Sequence, residues 1–175
     1  MLNDFSRKIS QCHNALKNQG FCLTTFPLPN ELLTYVKERN FSEIDKIFKK
    51  LLRNDGPLFH FLAQFTPDEI EFIEFIISLR ESKNEWEEDG IWHDDGSRVL
   101  AFSLSLTLDE IKGGILEIRK KGELHTSEIP TPKYGDGIIF KTGHESFEHK
   151  INKVTDGSRL IIAGWLYQDP QISPA

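Results

Sequence analysis

Two short stretches of this chain carry residue types that could share a metal ion. The first is Trp92-His93-Asp94-Asp95-Gly96. In an extended strand alternate side chains point to one face, so His93 and Asp95 would meet at one point and Asp94 would turn away. An imidazole and a carboxylate placed this way can grip one ion. The pair alone says little, because about one such spacing is expected by chance in a chain with this many acidic residues. Its plain alternative is a histidine at a strand end followed by solvated turn aspartates. The second stretch, Phe147-Glu148-His149-Lys150-Ile151, offers His149 as a third ligand. Two imidazoles and one carboxylate on one face of an octahedral iron(II) leave three positions open. A chelating co-substrate can take two and dioxygen the third. Read alone, His149 is equally an ordinary half-buried histidine.

A third stretch adds a different chemistry. Gly157-Ser158-Arg159-Leu160-Ile161-Ile162-Ala163-Gly164-Trp165 reads as a strand. Period two puts Arg159, Ile161, Ala163 and Trp165 on one face and Leu160, Ile162 and Leu166 on the other. Both faces are largely apolar, as in a strand covered on both sides. Arg159 would then point into an interior, where a guanidinium needs a carboxylate partner. Its planar fork suits a bidentate carboxylate. The partner is either a protein Asp or Glu, or the far carboxylate of a bound diacid.

The elements that must position these groups fall into two halves. Only Gly20 and Gly56 precede residue 85, and the other ten glycines follow it. In the first half, Phe5, Ile9, Cys12 and Leu16 recur at helical spacing, as do Ile44, Ile47, Phe48 and Leu51, with Ser42 expected as N-cap. Thr66-Pro67-Asp68-Glu69 predicts a further helix start. Gly20 to Thr25 predicts a short strand. In the second half, strands are expected over Val99 to Thr107, Gly114 to Ile118, Gly137 to Lys141, Phe147 to Val154 and Ser158 to Tyr167. Turn signals such as Lys112-Gly113-Gly114 separate them. Strands without alternating helices predict a sandwich or barrel rather than a parallel sheet. The helices are expected to pack on one face of it.

Composition sets the class. A length of 175 residues predicts one domain, 1–175, with 1–85 as mainly helical support and 86–170 as the strand-built core. Hydrophobic residues at 38%, with thirteen Phe, are enough for a real core. The most apolar run, Ile70 to Leu79, is broken by Glu71 and Glu74, so no membrane helix is expected. The N-terminus turns acidic early and does not read as a secretory signal. Cys12 and Cys22 cannot make a disulfide framework and predict free thiols in a reducing, cytoplasmic setting. A net charge of -6 argues against nucleic acid as a partner.

Taken in order, these pieces resemble the 2-oxoglutarate- and iron(II)-dependent oxygenases, closest to their prolyl-hydroxylase-like branch. The matching pieces are His93-Asp94-Asp95, Gly113-Gly114-Ile115-Leu116-Glu117-Ile118, Gly135-Asp136-Gly137-Ile138-Ile139-Phe140, His149, Arg159 and Trp165. They span residues 90 to 168, and their order and spacing are more specific than any one of them. The resemblance implies an α+β chain with a double-stranded β-helix (jelly-roll) core supported by N-terminal helices. It implies His93, Asp95 and His149 as catalytic iron ligands and Arg159 as the anchor of the distal carboxylate of 2-oxoglutarate, with Trp165 in the same pocket. It implies an oxidoreductase, a dioxygenase that decarboxylates 2-oxoglutarate to succinate and hydroxylates an unactivated C–H bond. Fe(II), 2-oxoglutarate and dioxygen are the implied cofactors and co-substrates, with ascorbate as a stimulant.

The chain departs from that branch in two places. Where a Tyr usually contacts 2-oxoglutarate, the equivalents are Ser103 or Ser105, which either reach the carboxylate or merely fill space. Ala163 stands where Thr is common, so a less polar pocket is expected. Asp95 argues against the family's halogenases, which lack that carboxylate. His144 and His125 are read as surface or outer residues, though a cupin-like metalloenzyme would use them as extra ligands. Arg119-Lys120-Lys121 reads as a solvated strand end. The acidic segment 82–90 is either a lid over the pocket or a plain loop. The substrate expected from the resemblance is a protein or peptide side chain, with a small molecule kept open. The competing reading is a catalytically silent jelly-roll module that senses metal or a small dicarboxylic acid.

Overall fold

The structure is a computed structural model that describes residues 2–98, 100–144 and 146–168, leaving aside the side chains of 2–6. Phe5 of the N-terminal stripe and Val99 at the start of an expected strand therefore lie outside the description. The chain opens with α1 (Leu2–Gln19), β1 (Phe21–Thr25), α2 (Leu32–Lys37), α3 (Phe41–Leu51) and α4 (Pro57–Ala63). Then come β2 (Phe72–Glu81), β3 (Leu100–Ser105), β4 (Lys112–Gly113), β5 (Leu116–Lys120) and β6 (Ser127–Ile129). The chain continues through β7 (Asp136–Lys141), β8 (Phe147–Ile151), β9 (Val154–Asp156) and β10 (Ser158–Tyr167).

The strands form a five-stranded sheet in the order β1-β7-β3-β10-β2, a three-stranded sheet β6-β5-β8 and a short β4-β9 pair. Every pairing is antiparallel. The central strands β7, β3 and β10 of the large sheet are largely buried on both faces. Its back face supplies Phe102, Leu104, Ile139 and Ile162 to a core shared with Leu32, Ile44, Phe48 and Leu62 of the helices. Its front face supplies Ala101, Ile138 and Phe140 to a second core with Leu116, Ile118 and Ile129 of the small sheet. Helices on one side and a second sheet on the other explain why β10 lacks the polar-apolar alternation of a half-exposed strand. This is a double-stranded β-helix backed by N-terminal helices.

Four local expectations are corrected. No helix starts at Thr66: Thr66 Oγ1 instead accepts from the Asp68 N–H at 3.2 Å, and the following run forms β2. Its β-branched and aromatic residues Phe72, Ile73, Phe75, Ile76 and Ile77 favour the pleated surface, and the whole strand pairs with β10. The N-cap of α3 is Asn40, whose side chain accepts from the Glu43 N–H at 3.3 Å; Ser42 lies inside the first turn. The cysteines are not free: Cys12 and Cys22 form a disulfide. Packing of α1 on β1 brings both into the helical-side core, a tertiary contact invisible in a separation of ten residues. The strand expected over Phe147 to Val154 is split into β8 and β9.

Candidate active site

His93 lies outside the named strands but makes an isolated antiparallel bridge with His149 of β8. The two residues exchange backbone hydrogen bonds: the His93 N–H donates to the His149 carbonyl at 2.9 Å, and the His149 N–H to the His93 carbonyl at 2.8 Å. Their rings stand 4.4 Å apart between centroids. Two residues further on, the Asp95 N–H donates to Oγ1 of the buried Thr142 at 3.0 Å, which fixes the third group. One ligand atom from each of His93, Asp95 and His149 lies within 4.8 Å of the others. Asp94 turns away, as its alternation requires, and pairs with Lys121 while accepting the Gly96 N–H.

The protonation of the cluster suits a cation. His93 Nδ1 is 3.0 Å from the Ile91 carbonyl; donation there leaves the Nε2 lone pair free for a ligand bond. Burial pushes the His149 pKa down to about 4, against the opposing pull of Asp95, so this imidazole is neutral at pH 7. Asp95 Oδ2 and His149 Nδ1 are buried without a hydrogen-bond partner among the described residues. Buried polar atoms rarely stay unpaired, and a cation held by this carboxylate would satisfy the aspartate oxygen.

The cluster opens into a cavity of about 110 Å³ between the two sheets. The front face of the large sheet forms its wall. The registers Arg159↔Arg80 and Ile161↔Ser78 on one side, and Ala163↔Ser103 on the other, place these residues on the same face of neighbouring strands. Arg159 is 1% exposed. Its Nε donates to Thr131 Oγ1 at 3.0 Å, and no carboxylate pairs with it among the described residues. Burial, reinforced by the nearby charge of Arg80, lowers its pKa to about 9. Gly114 makes room for the arginine: φ is +64°, and a Cβ there would stand 2.8 Å from Arg159 Cδ.

Of the two serines, Ser103 lines the cavity with Trp165. Ser105 is fully buried beyond it, and its Oγ accepts the Thr107 N–H at 3.2 Å. His144 is largely exposed beside Asp94, and His125 is exposed on a loop, so neither joins the cluster. Segment 82–90 lies against the cavity. Glu88 lines it, Asp89 pairs with Arg80, and the Arg80 guanidinium stands 5.3 Å from the Trp86 ring centroid. Sequence reasoning missed Thr131, Thr142 and Arg80. The first two are isolated threonines with no spacing signal. Arg80 could have been flagged as the one cation in the largely apolar run from Phe72 to Glu81.

The sequence matches the 2OG-Fe(II) oxygenase superfamily over residues 75–167, more than half of the chain. The chain belongs to this superfamily. No curated protein sequence matches it. Solved structures resemble this oxygenase over nearly its whole length. A Pseudomonas putida prolyl-4-hydroxylase is 17% identical with a TM-score of 0.61, covering 92% of this chain and 95% of its own. A Trichoplax adhaerens prolyl hydroxylase, in complex with a hypoxia-inducible-factor oxygen degradation domain peptide, is 14% identical with a TM-score of 0.67, covering 95% and 92%. A non-heme alpha-ketoglutarate-dependent carbocyclase of nogalamycin biosynthesis is 13% identical with a TM-score of 0.60, covering 91% and 83%. At these identities the likeness concerns the fold. As a 2OG-Fe(II) oxygenase, the protein is an enzyme that uses iron(II), 2-oxoglutarate and dioxygen. The donor set of two imidazoles and a buried carboxylate oxygen without a hydrogen-bond partner among the described residues fits iron(II).

Proposed function

We propose that residues 1–175 act as one oxygenase domain that hydroxylates an unactivated C–H bond on a protein or peptide side chain. His93, Asp95 and His149 would hold the iron, and Arg159 would hold the distal carboxylate of 2-oxoglutarate. When bound, iron(II) with 2-oxoglutarate and dioxygen supplies the oxidising chemistry. This chain's own residues do the rest. The Ile91 carbonyl orients His93, and the Thr142 hydroxyl fixes Asp95. Arg159 offers a charge-assisted fork at the inner end of the cavity, and Ser103 a hydroxyl along its wall. Leu116, Phe140 and Ile161 supply an apolar lining that keeps water from the reacting groups.

One observation carries this reading. Among the described residues, a buried arginine without a carboxylate partner and a buried carboxylate oxygen, Asp95 Oδ2, without a hydrogen-bond partner line one cavity together with apolar side chains. The peptide bound to the Trichoplax hydroxylase supports a peptide substrate here. A small molecule is the other arm of the substrate test, and the acidic chain speaks against nucleic acid. The complete residue set also speaks against a silent sensing module. Among the described residues no helix is long and apolar enough to cross a membrane. The cytoplasmic placement expected from free thiols loses that support, because the two cysteines are joined.

The test is succinate release from 2-oxoglutarate with iron(II) and ascorbate, screened against peptide and metabolite pools, with mass spectrometry for one added oxygen. Stimulated release by the wild type and none by Asp95→Ala is the expected result. Binding of 2-oxoglutarate without succinate under every condition would favour the silent module instead.

A further inference from the structure

A second arginine shares the inner end of the cavity. Arg80 on β2 is the direct cross-strand partner of Arg159 on β10, and it is 7% exposed. Cross-strand partners in an antiparallel pair project to the same side, and both residues line the cavity. Like charges in this position repel, and they do so at a depth where water screens little. A structural explanation would require two nearby carboxylates. Among the described residues one buried carboxylate pairs closely: Asp89, itself mostly buried, with Arg80 Nη1. Glu88 approaches Arg80 Nη2 no closer than 3.9 Å and is largely solvated. Arg80 Nε is buried with no hydrogen-bond partner among the described residues. Two buried guanidiniums thus share one closely paired, mostly buried carboxylate, while the other, Glu88, sits at 3.9 Å and is solvated.

We infer that Arg80 and Arg159 form a joint carboxylate seat, so that the distal carboxylate of the diacid is held by two guanidiniums rather than one. The inference rests on the functional reading above and adds a residue to it. A carboxylate offers about four lone-pair sites. The Arg159 fork fills two of them, and Arg80 can donate to the others while Asp89 keeps Nη1. The incoming charge then offsets the repulsion between the two guanidiniums. Burial and the charge of Arg80 together hold the Arg159 pKa down, and a bound carboxylate would relieve that strain. The seat also predicts selectivity: a 2-oxo acid without a far carboxylate gains nothing from Arg80.

Calorimetry on manganese-loaded protein tests this without turnover. Wild type, Arg80→Gln and Arg159→Met are each titrated with 2-oxoglutarate and with 2-oxobutanoate, which has the same head and no distal carboxylate. Arg80→Gln should weaken 2-oxoglutarate binding by about tenfold or more, leave 2-oxobutanoate binding unchanged and leave manganese affinity unchanged. If Arg80→Gln does not fold, Arg80→Lys carries the test. It keeps the charge that pairs with Asp89 and should show a smaller loss that is still confined to the diacid. Unchanged 2-oxoglutarate affinity in the Arg80 variants, with a clear loss in Arg159→Met, overturns the joint seat and leaves the functional reading standing. Equal losses for both acids also overturn it, because Arg80 would then act elsewhere. A wild type that binds no 2-oxoglutarate overturns both.

Discussion

Replacing Arg159 with methionine should move stability and binding in opposite directions. Arg159 is 1% exposed, and among the described residues its guanidinium has one neutral hydrogen-bond partner, Thr131. Its pKa, lowered to about 9, corresponds to about 5 kcal/mol of strain on the charged form in the ligand-free protein. Methionine keeps most of the stem's packing and removes the charge, as in buried ion pairs replaced by apolar residues. The ligand-free variant should therefore be more stable than the wild type by about a few kcal/mol after lost contacts are counted, and unfold at a higher urea midpoint. The same change removes a desolvated bidentate contact to the diacid, on the order of 2–5 kcal/mol. That is roughly thirty-fold to several thousand-fold in affinity. Urea titrations without ligand, and calorimetry with 2-oxoglutarate on manganese-loaded protein, measure the two effects separately. A variant that is several kcal/mol less stable would mean that Arg159 serves as a structural tie. A variant that binds 2-oxoglutarate as the wild type does would remove the anchor.

Gly114→Ala places a methyl against Arg159 Cδ at a left-handed backbone position. It should cost about 1–2 kcal/mol of stability and weaken 2-oxoglutarate binding without changing metal affinity; paired calorimetric titrations check this. His149 is held neutral by burial, with a folded pKa of about 4 against 6.5 for an ordinary histidine. As pH falls through 6.5 the unfolded chain takes up a proton that the folded chain refuses. The metal-free protein should therefore lose stability from pH 6.5 downward, with this loss levelling off below about 4. Urea midpoints across that range, flattened in His149→Gln, would show it. Reducing the Cys12–Cys22 bond should cost about 3 kcal/mol through the loop it closes. It should leave 2-oxoglutarate affinity unchanged, because the bond lies in the helical-side core. Denaturation with and without reductant, beside calorimetry, separates the two.

The alternation of β10 was enough to aim Arg159 inward, and the order of His93, Asp95, His149, Arg159 and Trp165 was enough to name the family. Those are local and serial properties: a strand's period of two and the distance along a chain survive in the sequence. The run from Phe72 to Glu81 shows where such reading fails. A capping signal at Thr66 pointed to a helix, and pairing with the full length of β10 made a strand instead. Pairing energy comes from a partner some eighty residues away, so no window around Thr66 contains it. The same holds for the Cys12–Cys22 bond, which depends on how α1 lies on β1.

For the site, the sequence by itself determined which residue types were available and which side of each strand they occupy. Only the tertiary structure decided that Arg80 stands opposite Arg159 with a single closely paired carboxylate, Asp89, on Arg80. It also decided that Ser103 faces the cavity while Ser105 is occupied by its own turn. Register and packing set those relations, because charge balance and burial are properties of a space enclosed by several strands rather than of any one of them.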